Sequence, residues 1–113
     1  MKYEYRIYEE VYNDMISGKK AIEFRLLNEK SRNIQIGDKI KFIVADNEEK
    51  YLIAKVIDKY IYDTLEDLWN DKDRLNNSLN YTKEEFINAF NNIFGEENVN
   101  NSKIVGLKIK ILY

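Results

Sequence analysis

The sequence predicts an α+β fold: a small, mostly antiparallel β-barrel of about five strands with about three helices packed on it. Three observations carry this. Apolar residues alternate with charged ones at both ends of the chain, in Lys2–Tyr8 and Lys103–Tyr113. The stretch Tyr51–Tyr62 is long, β-branched and aromatic. Two hydroxyl residues, Thr64 and Thr82, each stand three positions ahead of an acid and open a stretch of helical spacing.

The elements follow in order. Tyr3, Tyr5 and Ile7 share one face of a half-buried strand, with Lys2, Glu4 and Arg6 on the other. From Glu9 to Ser17 the period changes to that of a helix, with Tyr8, Val11, Tyr12 and Met15 on one side and Ile16 beside it. Glu9 and Glu10 suit its first turn, and Gly18 suits its end. Ala21–Leu27 returns to period two, with Ile22, Phe24 and Leu26 toward the core and Glu23 and Arg25 outward. Asn28–Gln35 reads as a polar loop, Ile36-Gly37-Asp38 as a turn, and Lys39–Val44 as a strand with Ile40, Phe42 and Val44 inward. Asp46–Lys50 is a charged, hairpin-like connection. The length of Tyr51–Tyr62 predicts a bend at a bulge.

Leu65, Leu68 and Trp69 form the face of a short helix after Thr64. Asp71–Asn80 reads as loop with one helical turn. The helix after Thr82 carries Phe86, Ala89, Phe90 and Ile93 as a stripe and stops at Gly95. Glu96–Ser102 is loop, and the last strand turns Val105, Leu107, Ile109, Ile111 and Tyr113 inward, Lys108 and Lys110 outward.

Composition narrows function. The 113 residues suit one domain, 1–113, large enough for a core. There is no cysteine and no histidine, which removes thiol chemistry and the commonest general base and metal ligand. No apolar run is long enough for a membrane span, and the charged start is unlike a signal peptide, so the expected location is the cytoplasm. The acid-rich stretch Asp63–Asp73 lacks the spacing and central glycine of a calcium loop and reads as a solvated face. No nucleophile–base set and no phosphate-binding glycine loop is visible, and no cofactor or metal is expected. Oligomeric state is left open.

The charge is uneven. Ser17–Phe42 holds seven Lys and Arg against three Asp and Glu, a net of +4, on a chain whose total is −2, leaving −6 elsewhere. Within it Lys20, Glu23 and Arg25 are a candidate ligand cleft: the cations would meet phosphate or carbonyl oxygens, and Glu23 an amino group. The plainer alternative is a solvated strand face with ion pairs of small worth. Lys19, Lys30, Arg32, Lys39 and Lys41 flank the trio and would steer a nucleic-acid backbone by charge. Tyr60, Tyr62, Trp69 and Tyr81 lie near element ends, as candidates for base stacking.

The run Gly18-x-Lys20-x-x-Glu23-x-Arg25, followed by the Gly37-Asp38 turn, the helix after Thr82 and the closing strand Ile104-Val105-Gly106-Leu107-Lys108, resembles the ASCH family of PUA-like domains. The resemblance covers most of the chain. It implies a PUA-like β-barrel with a cleft at the motif, and binding of RNA or a small nucleotide-like ligand. One branch of that family hydrolyses the amide of acetylated cytidine with a Lys, a Thr and a Glu. Their positions align here with Lys20, Glu23 and Leu79, so two of the three roles are vacant. Were the chain an enzyme, Lys20 or Glu23 would be its acid/base. The remaining alternative is a non-catalytic module whose basic strand docks an acidic protein.

Overall fold

In a computed structural model, residues 3–75 and 82–112 are described; Leu79, Tyr81 and Tyr113 lie outside them. The elements are β1 (Tyr3–Ile7), α1 (Glu9–Ser17), β2 (Ile22–Leu26), α2 (Glu29–Asn33), β3 (Lys39–Val44) and β4 (Asn47–Tyr62), then α3 (Leu65–Asn70), α4 (Lys72–Leu75), α5 (Lys83–Phe94), α6 (Glu96–Asn100) and β5 (Ile104–Ile111). The fold class is as the sequence predicts, α+β with five strands.

One sheet runs in the order β1-β3-β4-β5-β2. Only the β1–β3 pairing is parallel; the others are antiparallel. The sheet curls into a half-barrel whose free edges are β1 and β2. β4 supplies the curl. Its register with β5 slips between Val56 and Asp58, so Ile57 is the extra residue of the expected bulge, and its register with β3 slips between Ile43 and Val44.

Two apolar clusters follow from the two faces. Tyr3, Tyr5, Phe42, Leu52, Val105 and Leu107 fill the concave side, closed by Met15 of α1. Phe24, Leu26, Tyr62 and Ile104 on the convex side lie under Leu68, Phe86 and Phe90 of the helices. Gly106 permits the second cluster: a Cβ there would stand 2.9 Å from the Phe24 ring.

The helix boundaries follow their caps. Thr64 and Thr82 accept from the backbone N–H of Asp67 and Glu85, and Glu85 completes a capping box. Gly18 ends α1 at φ 82°, a left-handed position that glycine takes without a Cβ penalty.

Two stretches expected as loop are helical. Asn28–Gln35 contains α2, opened by a box in which Asn28 and Ser31 serve each other. Lys59 of β4 then donates to the carbonyls of Ser31 (3.0 Å), Arg32 (3.1 Å) and Ile34 (2.7 Å), an end cap from a distant strand that local sequence does not reveal. Glu96–Ser102 contains α6, which starts directly from Gly95. Tyr8 and Ile16, expected with the buried face of α1, are exposed, and Met15 is the residue of that face fully buried.

Candidate functional site: the seam between the sheet edges

β2 is where the pattern of alternation misleads. Its register pairs Glu23 with Leu107 and Arg25 with Val105, both residues of the concave core. Glu23 and Arg25 therefore point into the half-barrel, not away from the protein. Ile22, Phe24 and Leu26 turn to the convex side and are only half-buried. Both faces of this edge strand are covered, and its most buried residue is Glu23, at 4% exposure.

A carboxylate that deep needs partners, because an isolated buried charge is far costlier than a paired one. Glu23 has two. Oε1 lies 2.9 Å from Lys20 Nζ, and Oε2 lies 3.2 Å from Arg25 Nη2. Burial alone would push the Glu23 carboxyl up; the Lys20 and Arg25 charges and hydrogen bonds outweigh it and hold the group below the ordinary carboxylate value. The trio carries a net charge of +1 with its anion fixed between two cations.

Arg25 also joins the two sheet edges. Its Nη2 donates to the carbonyl of Arg6 in β1 (3.1 Å), and its guanidinium lies 4.4 Å from the centre of the Tyr5 ring. Lys30 of α2 covers the same ring at 4.0 Å and donates to the Glu4 carbonyl. The carbonyls that β1 leaves open at its edge are thus met by cations rather than by a sixth strand. Burial pushes the Tyr5 hydroxyl up and the Lys30 ammonium down.

Beside this seam lies a cleft of about 340 Å³. Its lining takes in Lys20, Glu23 and Arg25, the apolar Ile7 and Val11, and a wall of Phe86, Phe90, Ile93 and Phe94 contributed by α5. Ile93 is 56% exposed and Tyr8, at the rim, 64%. The cleft therefore has both charged and aromatic groups in its lining. The sequence pattern gives Phe86, Ala89, Phe90 and Ile93 as one stripe and does not place it at the cleft; Phe94, one residue before the helix-ending glycine, was the available signal.

Other candidates lie elsewhere. Lys19 and Arg32 are exposed and do not line the cleft; Lys39 and Lys41 stand on the outer face of β3. Lys41 lies over the Tyr51 ring at 4.4 Å. Lys30, although exposed, is engaged at the seam by its bond to the Glu4 carbonyl. Of the stacking candidates, Tyr62 is buried and donates to Asp71 (2.8 Å), which overturns its assignment to an exposed surface. The Tyr60 ring is covered by Arg74 at 3.8 Å and the Trp69 ring by Lys72 at 3.0 Å. Among the described residues no acidic cluster is arranged to hold a metal, and no helix is long and apolar enough to cross a membrane.

No family model matches the chain, and no curated protein matches it. Solved structures do. The hypothetical protein PH0355 superposes with a TM-score of 0.79 at 30% identity, over 99% of this chain and 100% of that one. Protein PF0455 from Pyrococcus furiosus gives 0.72 at 29% identity, over 99% and 98%. ASCH from Zymomonas mobilis gives 0.64 at 15% identity, over 97% of this chain and 68% of that one. The chain therefore belongs to the same family as PH0355, and its fold is that of the ASCH domain.

Proposed function

We propose that the cleft binds a nucleotide-like ligand: a base of RNA, or a free nucleoside or nucleotide. The observation that carries this reading is the presence of charged groups and an aromatic wall in the lining of one small cavity. A nucleobase needs both, a flat apolar surface against its ring and donors and acceptors along its rim. Phe94 and Ile93 supply the first. Lys20 supplies a donor for a carbonyl or a single phosphate oxygen. Glu23 keeps lone pairs beyond those used by Lys20 and Arg25 and accepts from an amino group. Arg25, engaged with Arg6 and Tyr5, acts mainly by holding Glu23 in place. At about 340 Å³ the cavity is at the small end of ligand sites, which run from about 300 to 1,000 Å³. That size, with a net charge of +1, favours one nucleotide over a long stretch of backbone.

A second reading, hydrolysis of a modified nucleoside, is favoured by the direct contact of Lys20 with a buried Glu23. The direction of the Glu23 shift speaks for binding. A carboxyl held below its ordinary value stays ionised at neutral pH and is a poor proton donor. The open cleft beside Lys20 also weighs against a flat docking strand for an acidic protein.

The test is a titration of a panel of nucleosides, nucleoside monophosphates and short single-stranded RNAs, followed by NMR shifts of the backbone amides. Binding should map to β2 and α5, weaken about tenfold or more in Lys20→Ala, as for loss of a charge-assisted hydrogen bond, and change its base preference in Glu23→Gln. Should no member of the panel move those amides, the reading fails.

A further inference from the structure

The outer face of the half-barrel divides in two. Toward Ile104 it is covered by the helices. Toward the other end it carries exposed lysines beside the buried Ile43 and Ile53, and there the register sets lysines directly against one another. Lys39 of β3 pairs with Lys55 of β4, and Lys55 pairs with Lys110 of β5. All three are exposed, and among the described residues none makes an ion pair. Direct cross-strand partners have Cβ atoms about 5 Å apart, so like charges there repel. Lys41 extends the row along β3, lying over the half-exposed Tyr51 ring. The acids in register stand only at the margins, Glu4 beside Lys41 and Asp58 beside Lys108. On a chain of net charge −2, a row of uncompensated lysines is a local feature that folding itself does not require.

We infer that this face, centred on the Lys39–Lys55–Lys110 row, is a docking surface for the phosphate backbone of single-stranded nucleic acid. The argument is charge complementarity. A row of cations spanning three adjacent strands, each about 4.8 Å from the next, follows an extended polyanion without reading its sequence. The choice of nucleic acid over an acidic protein rests on the cleft reading above. The row deepens that reading: the cleft takes one base or nucleotide, and the sheet face holds flanking backbone.

The experiment measures fluorescence anisotropy of a labelled short oligouridylate over a salt series, together with uridine monophosphate binding followed by NMR. The proteins are the wild type, the triple variant Lys39→Gln, Lys55→Gln, Lys110→Gln, and Lys20→Ala. The triple variant should bind the oligonucleotide about tenfold or more weakly at low salt, with the slope of log affinity against log salt reduced by about 2, the value for three single-strand phosphate contacts. It should keep its mononucleotide binding, whereas Lys20→Ala should lose mononucleotide binding and keep most of the slope. If the cleft reading alone fails, no protein binds the mononucleotide, yet the oligonucleotide still depends on the row. The inference is overturned if the triple variant matches the wild type in affinity and slope. It is equally overturned if the wild type ignores the oligonucleotide but binds an oligoglutamate through the same lysines, which would make this an acidic-protein surface.

Discussion

Two groups of cations on one sheet are built on opposite principles. At the seam, Lys20 and Arg25 converge on one carboxylate that is 4% exposed, and every charge has a counter-charge within 3.2 Å. On the outer face, Lys39, Lys55 and Lys110 have one another as register partners and solvent in front of them. The difference shows what burial demands. Charges withdrawn from water must be satisfied inside the fold, so the seam trio is part of the architecture before it is part of any site. Charges left in water need no such partner and are free to answer to something outside the chain. Removing a charge should therefore have opposite consequences in the two places.

The largest effect is expected at Glu23. Glu23→Ala leaves Lys20 and Arg25 facing each other across the seam and removes the acceptor that orients Arg25 toward Arg6. Breaking a buried pair by deleting one partner costs about 3–5 kcal/mol. The side chains of Lys20 and Arg25 keep 29% and 20% exposure, which places this case at or just below the lower end. Urea denaturation should show a loss of about 3 kcal/mol; a loss under about 1 kcal/mol would mean that solvent, not the carboxylate, holds the two cations.

The same centre predicts a pH dependence that the outer face does not share. Glu23 is held below 4.5 in the folded chain and titrates near 4.5 when unfolded. Its contribution is therefore fully present above pH 4.5 and is lost as pH falls through the depressed folded value. Glu23→Gln keeps the shape and removes the titration. The stability gap between wild type and Glu23→Gln should be widest near neutral pH and close progressively as urea melts are taken below pH 4.5. A gap that stays constant on acidification would show that the carboxyl has the same proton affinity folded and unfolded.

How much of this was legible in the sequence depends on the range of the forces involved. The cores of the strands, the caps at Thr64 and Thr82 and the helix stop at Gly18 are set by neighbours a few residues apart and form where the pattern puts them; Asn47–Lys50, expected in a charged connection, instead extends β4, because the hairpin turns tightly at Ala45-Asp46. The motif trio was also visible as a cluster, since Lys20, Glu23 and Arg25 lie within six residues. Its orientation was not. Alternation says which residues of β2 share a face, but only pairing with β5 says which face is concave, and the apolar one is not. An edge strand covered on both sides removes the usual contrast between core and solvent. Likewise α2 depends on a capping lysine 25 to 28 positions away in sequence, and the lysine row exists only through the registers of β3, β4 and β5. The α5 wall failed for a subtler reason. A helix that covers a core and lines a cleft shows one continuous apolar stripe for both.

The smallest expected effect is the sharpest form of the comparison. Lys55 stands at the centre of the outer row, in register with Lys39 on one side and Lys110 on the other, so Lys55→Gln removes both like-charge contacts at once. It takes away no hydrogen bond and no ion pair within the described structure, and the residue is exposed. The free protein should lose no stability, and at low ionic strength its melting temperature should rise slightly. That gain should shrink at physiological salt, where the screening length falls to about 8 Å. Bound to an oligonucleotide, the order should reverse: the wild type gains more melting temperature from the ligand than Lys55→Gln does, because the lysine then has the anion it lacks in the free protein. A substitution that is neutral or favourable alone and unfavourable only with a polyanion present separates a binding charge from a structural one. Glu23→Ala, costly with or without ligand, marks the other kind. If Lys55→Gln instead destabilised the free protein at every salt concentration, the row would belong to the fold after all, and the contrast between seam and outer face would collapse.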